Sequence, residues 1–233
     1  MNAIKTLAVG LGLAVGLAAG ARAQEQEGVA LAIVYDTSGS MAERVPDTGG
    51  QLAPKYQIAD RALIAVARHL QTFATNNTTG TSRPIQTGLF VFEGQGAREV
   101  VEFGPFQEEP IKQWAARFSS PKGNTPLGNA LRVAGRRVLA SPLPHKHVLV
   151  LTDGINTAGP SPVAVLPQLL REARQQHTSL SVHFVAFDVD AQVFQSVKRL
   201  GATVVAASNE NQLNTQMQFI LERKILLEEE EKK

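Results

Sequence analysis

The sequence has no cysteine, almost no charge surplus and no internal repeat. Without cysteine there can be no disulfide, no thiolate metal site and no lipid-modified cysteine at a processing site. The surplus is only +2, from 23 Lys+Arg against 21 Asp+Glu over 233 residues. It disappears when the first 23 residues are set aside, because Lys5 and Arg22 lie there with no acidic residue. The remainder is formally neutral, which removes the electrostatic case for a nucleic-acid partner.

No apolar run reaches the roughly 20 residues that a membrane-spanning helix needs. The run Leu7–Gly20 is fourteen residues long, follows Lys5 and precedes Ala21-Arg22-Ala23, a small-x-small cleavage pattern. That layout is a secretory signal peptide, the competing reading being an uncleaved anchor. The expected organisation is a signal peptide at 1–23, a linker at 24–27, one α/β domain at 28–221 and a charged tail at 222–233. The tail's Glu228–Lys233 run (EEEEKK) bars a C-terminal anchor, so no stable membrane attachment is expected after cleavage. The periplasm is the expected compartment, with full secretion as the alternative.

Continuous apolar runs mark strands covered on both faces. Val29–Tyr35, His147–Thr152 and Leu180–Phe187 each end in an aspartate, at Asp36, Asp153 and Asp188, and a shorter run covers Thr203–Ala206. Apolar positions three and four apart mark helices over Tyr56–Phe73, after Thr125-Pro126 and after Ser161-Pro162. Asp190 is a candidate cap for a short helix ended by Gly201, and Ser208 or Asn209 for the last one. Thr87–Phe92 and Ala97–Phe103, joined by Glu93-Gly94-Gln95-Gly96, read as a hairpin. Alternating strands and helices predict a mostly parallel central sheet with one antiparallel edge strand and helices on both faces.

In such a sheet ligands bind beyond the carboxyl ends of the strands, where strand order reverses. Asp36-Thr37-Ser38-Gly39-Ser40 and Asp153-Gly154 follow the two strands expected to flank that point. Asp36, Ser38 and Ser40, at every second position, can present one carboxylate and two hydroxyls to a common centre. Thr125, in Gly123-Asn124-Thr125-Pro126-Leu127-Gly128, can reach it if its loop crosses the top of the sheet. Two carboxylates with hydroxyls suit a hard cation such as magnesium, with water and an outside ligand completing the octahedron.

These residues together resemble the metal-ion-dependent adhesion site of von Willebrand factor A (vWA) domains. Asp36-x-Ser38-x-Ser40 follows the first strand, Thr125 stands in Gly-x-Thr-Pro-Leu-Gly, and Asp153 in Leu-Thr-Asp-Gly, over a likeness running from about Gly28 to Phe219. The resemblance implies the Rossmann-like vWA fold, with Mg2+ as cofactor and Mn2+ or Ca2+ as substitutes. It makes Ser38, Ser40 and Thr125 hydroxyl ligands, and Asp36 and Asp153 ligands or water-mediated acceptors. It also implies a protein or peptide partner whose Asp or Glu completes the coordination.

Each element has a plainer reading. Thr125 can be a helix cap, and Asp153-Gly154 an ordinary turn. His145 and His147, placed just before a strand, read as surface residues, while His69 and His183 read as packed. Asp190 reads as a cap and Asp188 as a rim residue. The Ala42–Pro54 loop borders the proposed ion and is the expected determinant of partner choice. Gly10-Leu11-Gly12 imitates a dinucleotide fingerprint but lies in the signal segment. The expected function is therefore a binding module and not an enzyme. The alternatives are an assembly scaffold with a structural ion and, further off, a metal-dependent hydrolase, for which only Glu43 could serve as base.

Overall fold

The computed structural model describes residues 28–75 and 83–227. The signal segment, the 24–27 linker and the Glu228–Lys233 run lie outside them. Strand β1 (Val29–Tyr35) is buried along its whole length. A 3-10 turn at Gly39–Ala42 leads to a small antiparallel pair, β2 (Arg44–Pro46) and β3 (Leu52–Pro54), inside the segment read as a loop. Helix α1 (Lys55–Thr75) follows, then the hairpin β4 (Ile85–Glu93) and β5 (Gly96–Pro105), then α2 (Glu108–Arg117) and α3 (Leu127–Leu139). The rest alternates: β6 (His145–Thr152), α4 (Pro162–Gln175), β7 (Ser181–Phe187), α5 (Gln195–Arg199), β8 (Thr203–Ala207) and α6 (Glu210–Ile220).

The sheet order is β5-β4-β1-β6-β7-β8, with only β5 antiparallel. The chain winds to one side of β1 and then to the other, so order reverses between β1 and β6. Alternation along β1 divides the core: Leu31, Ile33 and Tyr35 face α1, α2 and α6, while Ala30, Ala32 and Val34 face α3 and α4. With apolar residues wanted on both faces, a central strand reads as one unbroken apolar run. Each fully buried Leu, Ile or Phe contributes about 1.5–3 kcal/mol.

Local signals fixed the ends of several elements. Asp190 accepts from the Gln192 N–H (2.8 Å) and Asn209 from the Gln212 N–H (2.9 Å), while Gly201 ends α5 at φ +98°. At the edge, β5 is interrupted by register shifts beside Gly88, and Arg137 bonds Glu99 on it at 3.0 Å. Among the described residues no helix is long and apolar enough to cross a membrane.

Two expectations change. Strand β6 begins at His145, paired with Val29, so His147 is buried inside the sheet and not on the surface. Its ring stacks on His183 at 5.5 Å, with Nδ1 of His147 3.2 Å from Nε2 of His183. Burial holds both imidazoles low, to about 3 for His147 and about 4 for His183. Polar residues can open this buried strand because Lys146 donates back to the carbonyls of Ser141 and Leu143. The packed chain also continues past residue 221, where the charged tail was placed. A π-helical turn, Leu221–Leu226, buries Leu221, Ile225 and Leu226 against the α1 face.

Asp60 on α1 accepts from the Tyr35 hydroxyl at 2.8 Å, and burial pushes its carboxyl up to about 7. A raised carboxyl leaves stability intact below the unfolded value near 3.8 and removes it as pH rises through 7. Asp60→Asn keeps an acceptor for Tyr35 without the charge. Its stability advantage over wild type is expected to grow by about 2 kcal/mol between pH 4 and pH 8, discounting for partial solvent contact. Urea melts across that range check it, and a pH-independent difference would refute it.

Candidate functional site

The residues singled out in the sequence meet at the carboxyl ends of β1 and β6. Asp36 leaves β1 with its N–H donating to the Leu151 carbonyl at 3.0 Å. Its Oδ1 accepts from the Ser38 N–H (2.8 Å) and its Oδ2 from the Thr152 hydroxyl (2.5 Å). Those bonds fix the carboxylate and turn the chain so that Ser38 and Ser40 stand on one side, their hydroxyl oxygens 3.1 Å apart. The Ser40 hydroxyl donates to Asp153 Oδ1 at 2.8 Å, joining the two strand-end loops directly.

The threonine loop is bonded to the same place. Gly39 N–H donates to the Gly123 carbonyl (3.2 Å) and Lys122 N–H to the Thr37 carbonyl (2.8 Å). A Cβ placed on Gly154 would lie 3.8 Å from Thr125 Oγ1 and 3.9 Å from Ser40 Oγ, so both hydroxyls border that glycine. Thr125 does not cap α3. The Gly128 N–H is taken by Asn156 Oδ1 at 3.1 Å, and Thr157 holds the Thr125 backbone from both sides at 2.8 and 3.0 Å. The cap role that competed with a ligand role for Thr125 is thus filled by the loop after β6.

Asp36 and Asp153 are both buried, at 0% and 6% exposure. Burial, reinforced by the Asp153 charge, pushes the Asp36 carboxyl up to about 6 despite its bonds from Ser38 and Thr152. Burial also raises Asp153, opposed by Ser40 and Lys55. Two desolvated carboxylates facing one another, edged by three hydroxyls, attract a cation. All donors are hard oxygens, which fits magnesium, calcium or manganese and not a thiolate-type ion. Among the described residues no group of three or more His, Cys, Asp or Glu side chains is placed to hold an ion, so any ion at this place would need the hydroxyls as well.

Sequence reasoning missed two residues. Thr152 read as a strand end, yet it clasps Asp36; a hydroxyl immediately before the second aspartate was the available signal. Lys55 gave no signal. It opens α1, and its ammonium meets Glu43 at 2.7 Å, Asp188 at 2.9 Å and Asp153 Oδ2 at 3.1 Å. Burial pulls this ammonium down, but Glu43, Asp188 and Asp153 together hold it above its ordinary value. Asp188 is thereby linked through Lys55 to Asp153. The β2–β3 hairpin is fastened beside the site by Glu210, which accepts from the Thr48 N–H (3.0 Å) and pairs with Arg61 (2.7 and 2.9 Å).

No protein-family model matches the chain, and no curated protein matches its sequence. Solved structures share its fold. The PilB minor pilin of Streptococcus sanguinis aligns with a TM-score of 0.64 at 17% identity, over 85% of this chain and 61% of the pilin. Proximal thread matrix protein 1 of the mussel byssus, solved with a zinc-occupied MIDAS motif, aligns at 0.60 and 15% identity over 84% of this chain and 48% of its own. The vWF domain of the type V pili tip protein Mfa5 of Porphyromonas gingivalis gives 0.55 and 11%, over 84% and 95%. The chain thus spans less than two thirds of the pilin and about half of the byssus protein. The fold is that of a vWA domain, mostly parallel with one antiparallel edge strand.

Proposed function

We propose that this chain is a divalent-cation-dependent protein-binding module. The observation that carries the reading is the direct bonding of three loops, through Ser40–Asp153 and Gly39–Gly123, into one cluster of buried carboxylates and hydroxyls. Asp36, Ser38, Ser40, Thr125 and Asp153 would hold Mg2+, with Mn2+ or Ca2+ as substitutes. A bound ion would supply Lewis acidity toward an Asp or Glu carboxylate of the partner. Asp36, fixed by Thr152 and Ser38, orients the serine loop, and burial keeps competing water from its carboxylate. The byssus protein's zinc-occupied motif supports a divalent ion in this fold.

Partner choice falls to the rim: the β2–β3 hairpin with exposed Leu52, and Ile155, which follows Asp153-Gly154. Export through the leader at residues 1–23 and residence in the periplasm complete the reading, with secretion as the alternative. For the hydrolytic alternative the candidate base is Glu43, and its carboxylate is paired with the Lys55 ammonium at 2.7 Å.

Affinity capture from envelope extract, in magnesium and in chelator, tests the proposal. Partner recovery is expected to fall at least tenfold in chelator and equally for Asp36→Ala. Undiminished capture in both arms would defeat it. A structural ion in an assembly scaffold would instead leave capture intact in chelator below the melting range.

A further inference from the structure

Lys55 stands where helix electrostatics disfavours it. It is the first residue of α1, where the helix dipole repels a cation, and its side chain is 3% exposed. One carboxylate would satisfy a buried ammonium, yet three surround it, from three different loops. Asp188 holds its place with backbone in the left-handed region (φ +54°) and its N–H on the Ala207 carbonyl at 2.7 Å. Asp153 is shared: Oδ1 accepts from Ser40 at 2.8 Å, while Oδ2 accepts from Lys55 at 3.1 Å.

We propose that Lys55 is a positioning residue of the ion site, which claims Oδ2 of Asp153 and keeps that carboxylate from binding the ion directly. The inference rests on the cation-binding reading above. With Oδ2 engaged by a fixed ammonium, Asp153 acts on a bound cation through Ser40 and through water. The ammonium also offsets one of the negative charges around the site. The ion is then held less tightly and keeps more of its charge for an incoming carboxylate. Lys55 thereby trades affinity for the metal against affinity for the partner's acid.

Manganese is the probe. Its dissociation constant is read by electron paramagnetic resonance, and the number of waters on the bound ion by nuclear relaxation. Lys55→Met removes both charge and donor. It is expected to bind manganese about tenfold or more tightly, with one fewer coordinated water as Asp153 Oδ2 joins the ion. Lys55→Gln removes the charge but keeps a donor for Asp153. It is expected to tighten manganese as well while retaining the wild-type hydration number, and it serves if the methionine variant fails to fold. A folded variant, judged by circular dichroism in chelator, with unchanged or weaker manganese affinity overturns the proposal alone. Wild-type protein that binds no manganese overturns the cation-binding reading and this inference with it.

Discussion

Saturating magnesium is expected to raise the melting midpoint of the metal-free chain by about 5–10 °C. At a hundredfold excess over the dissociation constant, a ligand that binds only the folded state contributes about 2.7 kcal/mol, and a chain of this size gains about 2–4 °C per kcal/mol. The physical source is the pair of buried carboxylates. In metal-free protein at pH 7.5 Asp36 is ionised, desolvated and facing Asp153, which is why its carboxyl stands near 6. A raised carboxyl leaves stability complete below 3.8 and removes it as pH climbs through 6. Asp36→Asn should therefore melt above wild type in chelator at pH 7.5, by about 1–3 kcal/mol in stability. The Thr152 hydroxyl can turn from donor to acceptor to satisfy the amide. The same variant should show no rise with magnesium. Differential scanning fluorimetry in chelator and in magnesium measures both effects, and an Asp36→Asn variant that still responds to magnesium would count against the ion assignment.

Gly128→Ala is expected to cost about 2–4 kcal/mol, reversing the gain of about 1 kcal/mol that alanine usually brings to a helix interior. A Cβ at Gly128 would lie 1.9 Å from the Pro160 carbonyl oxygen, which is backbone and cannot rotate away. The α3 helix and the loop after β6 would have to separate. That loop carries Asn156 and Thr157, which hold Gly128 and Thr125, so Thr125 should be displaced and manganese affinity should fall as well. Gly135→Ala is the comparison. It lies two turns along the same helix face, and its Cβ would meet Leu169 Cδ1 at 2.6 Å, the mobile end of a side chain. It should cost less and leave metal affinity unchanged. Urea melts with manganese titrations separate the two, and a Gly128→Ala protein as stable as wild type would show that the contact yields freely.

The parts of the fold legible in the sequence were those governed by local rules. Central strands buried on two faces appeared as apolar runs, and their terminal aspartates marked the site because parallel strands deliver their ends to one rim. Asp190 and Asn209 were readable as caps because a cap acts within three residues. The β2–β3 pair was not legible: three-residue strands have no period to detect, and this pair is held by Glu210, far along the chain. His147 was misplaced because a polar start conceals a buried strand when Lys146 bonds back to the preceding turn and His147 meets His183 on the neighbouring strand. Lys55 escaped because its meaning lies in where Glu43, Asp153 and Asp188 arrive in space, and nothing nearby in sequence records that meeting.

The bulged, charged border at β5 bears on how molecules of this kind behave when crowded. A neighbour laying its own backbone alongside would need a straight row of amides and carbonyls. It would find the rhythm broken beside Gly88, a proline at the end of the row and a Glu99 already held by Arg137. Edge-to-edge zippering along this border is thereby discouraged, and encounters there are left to surfaces shaped by side chains.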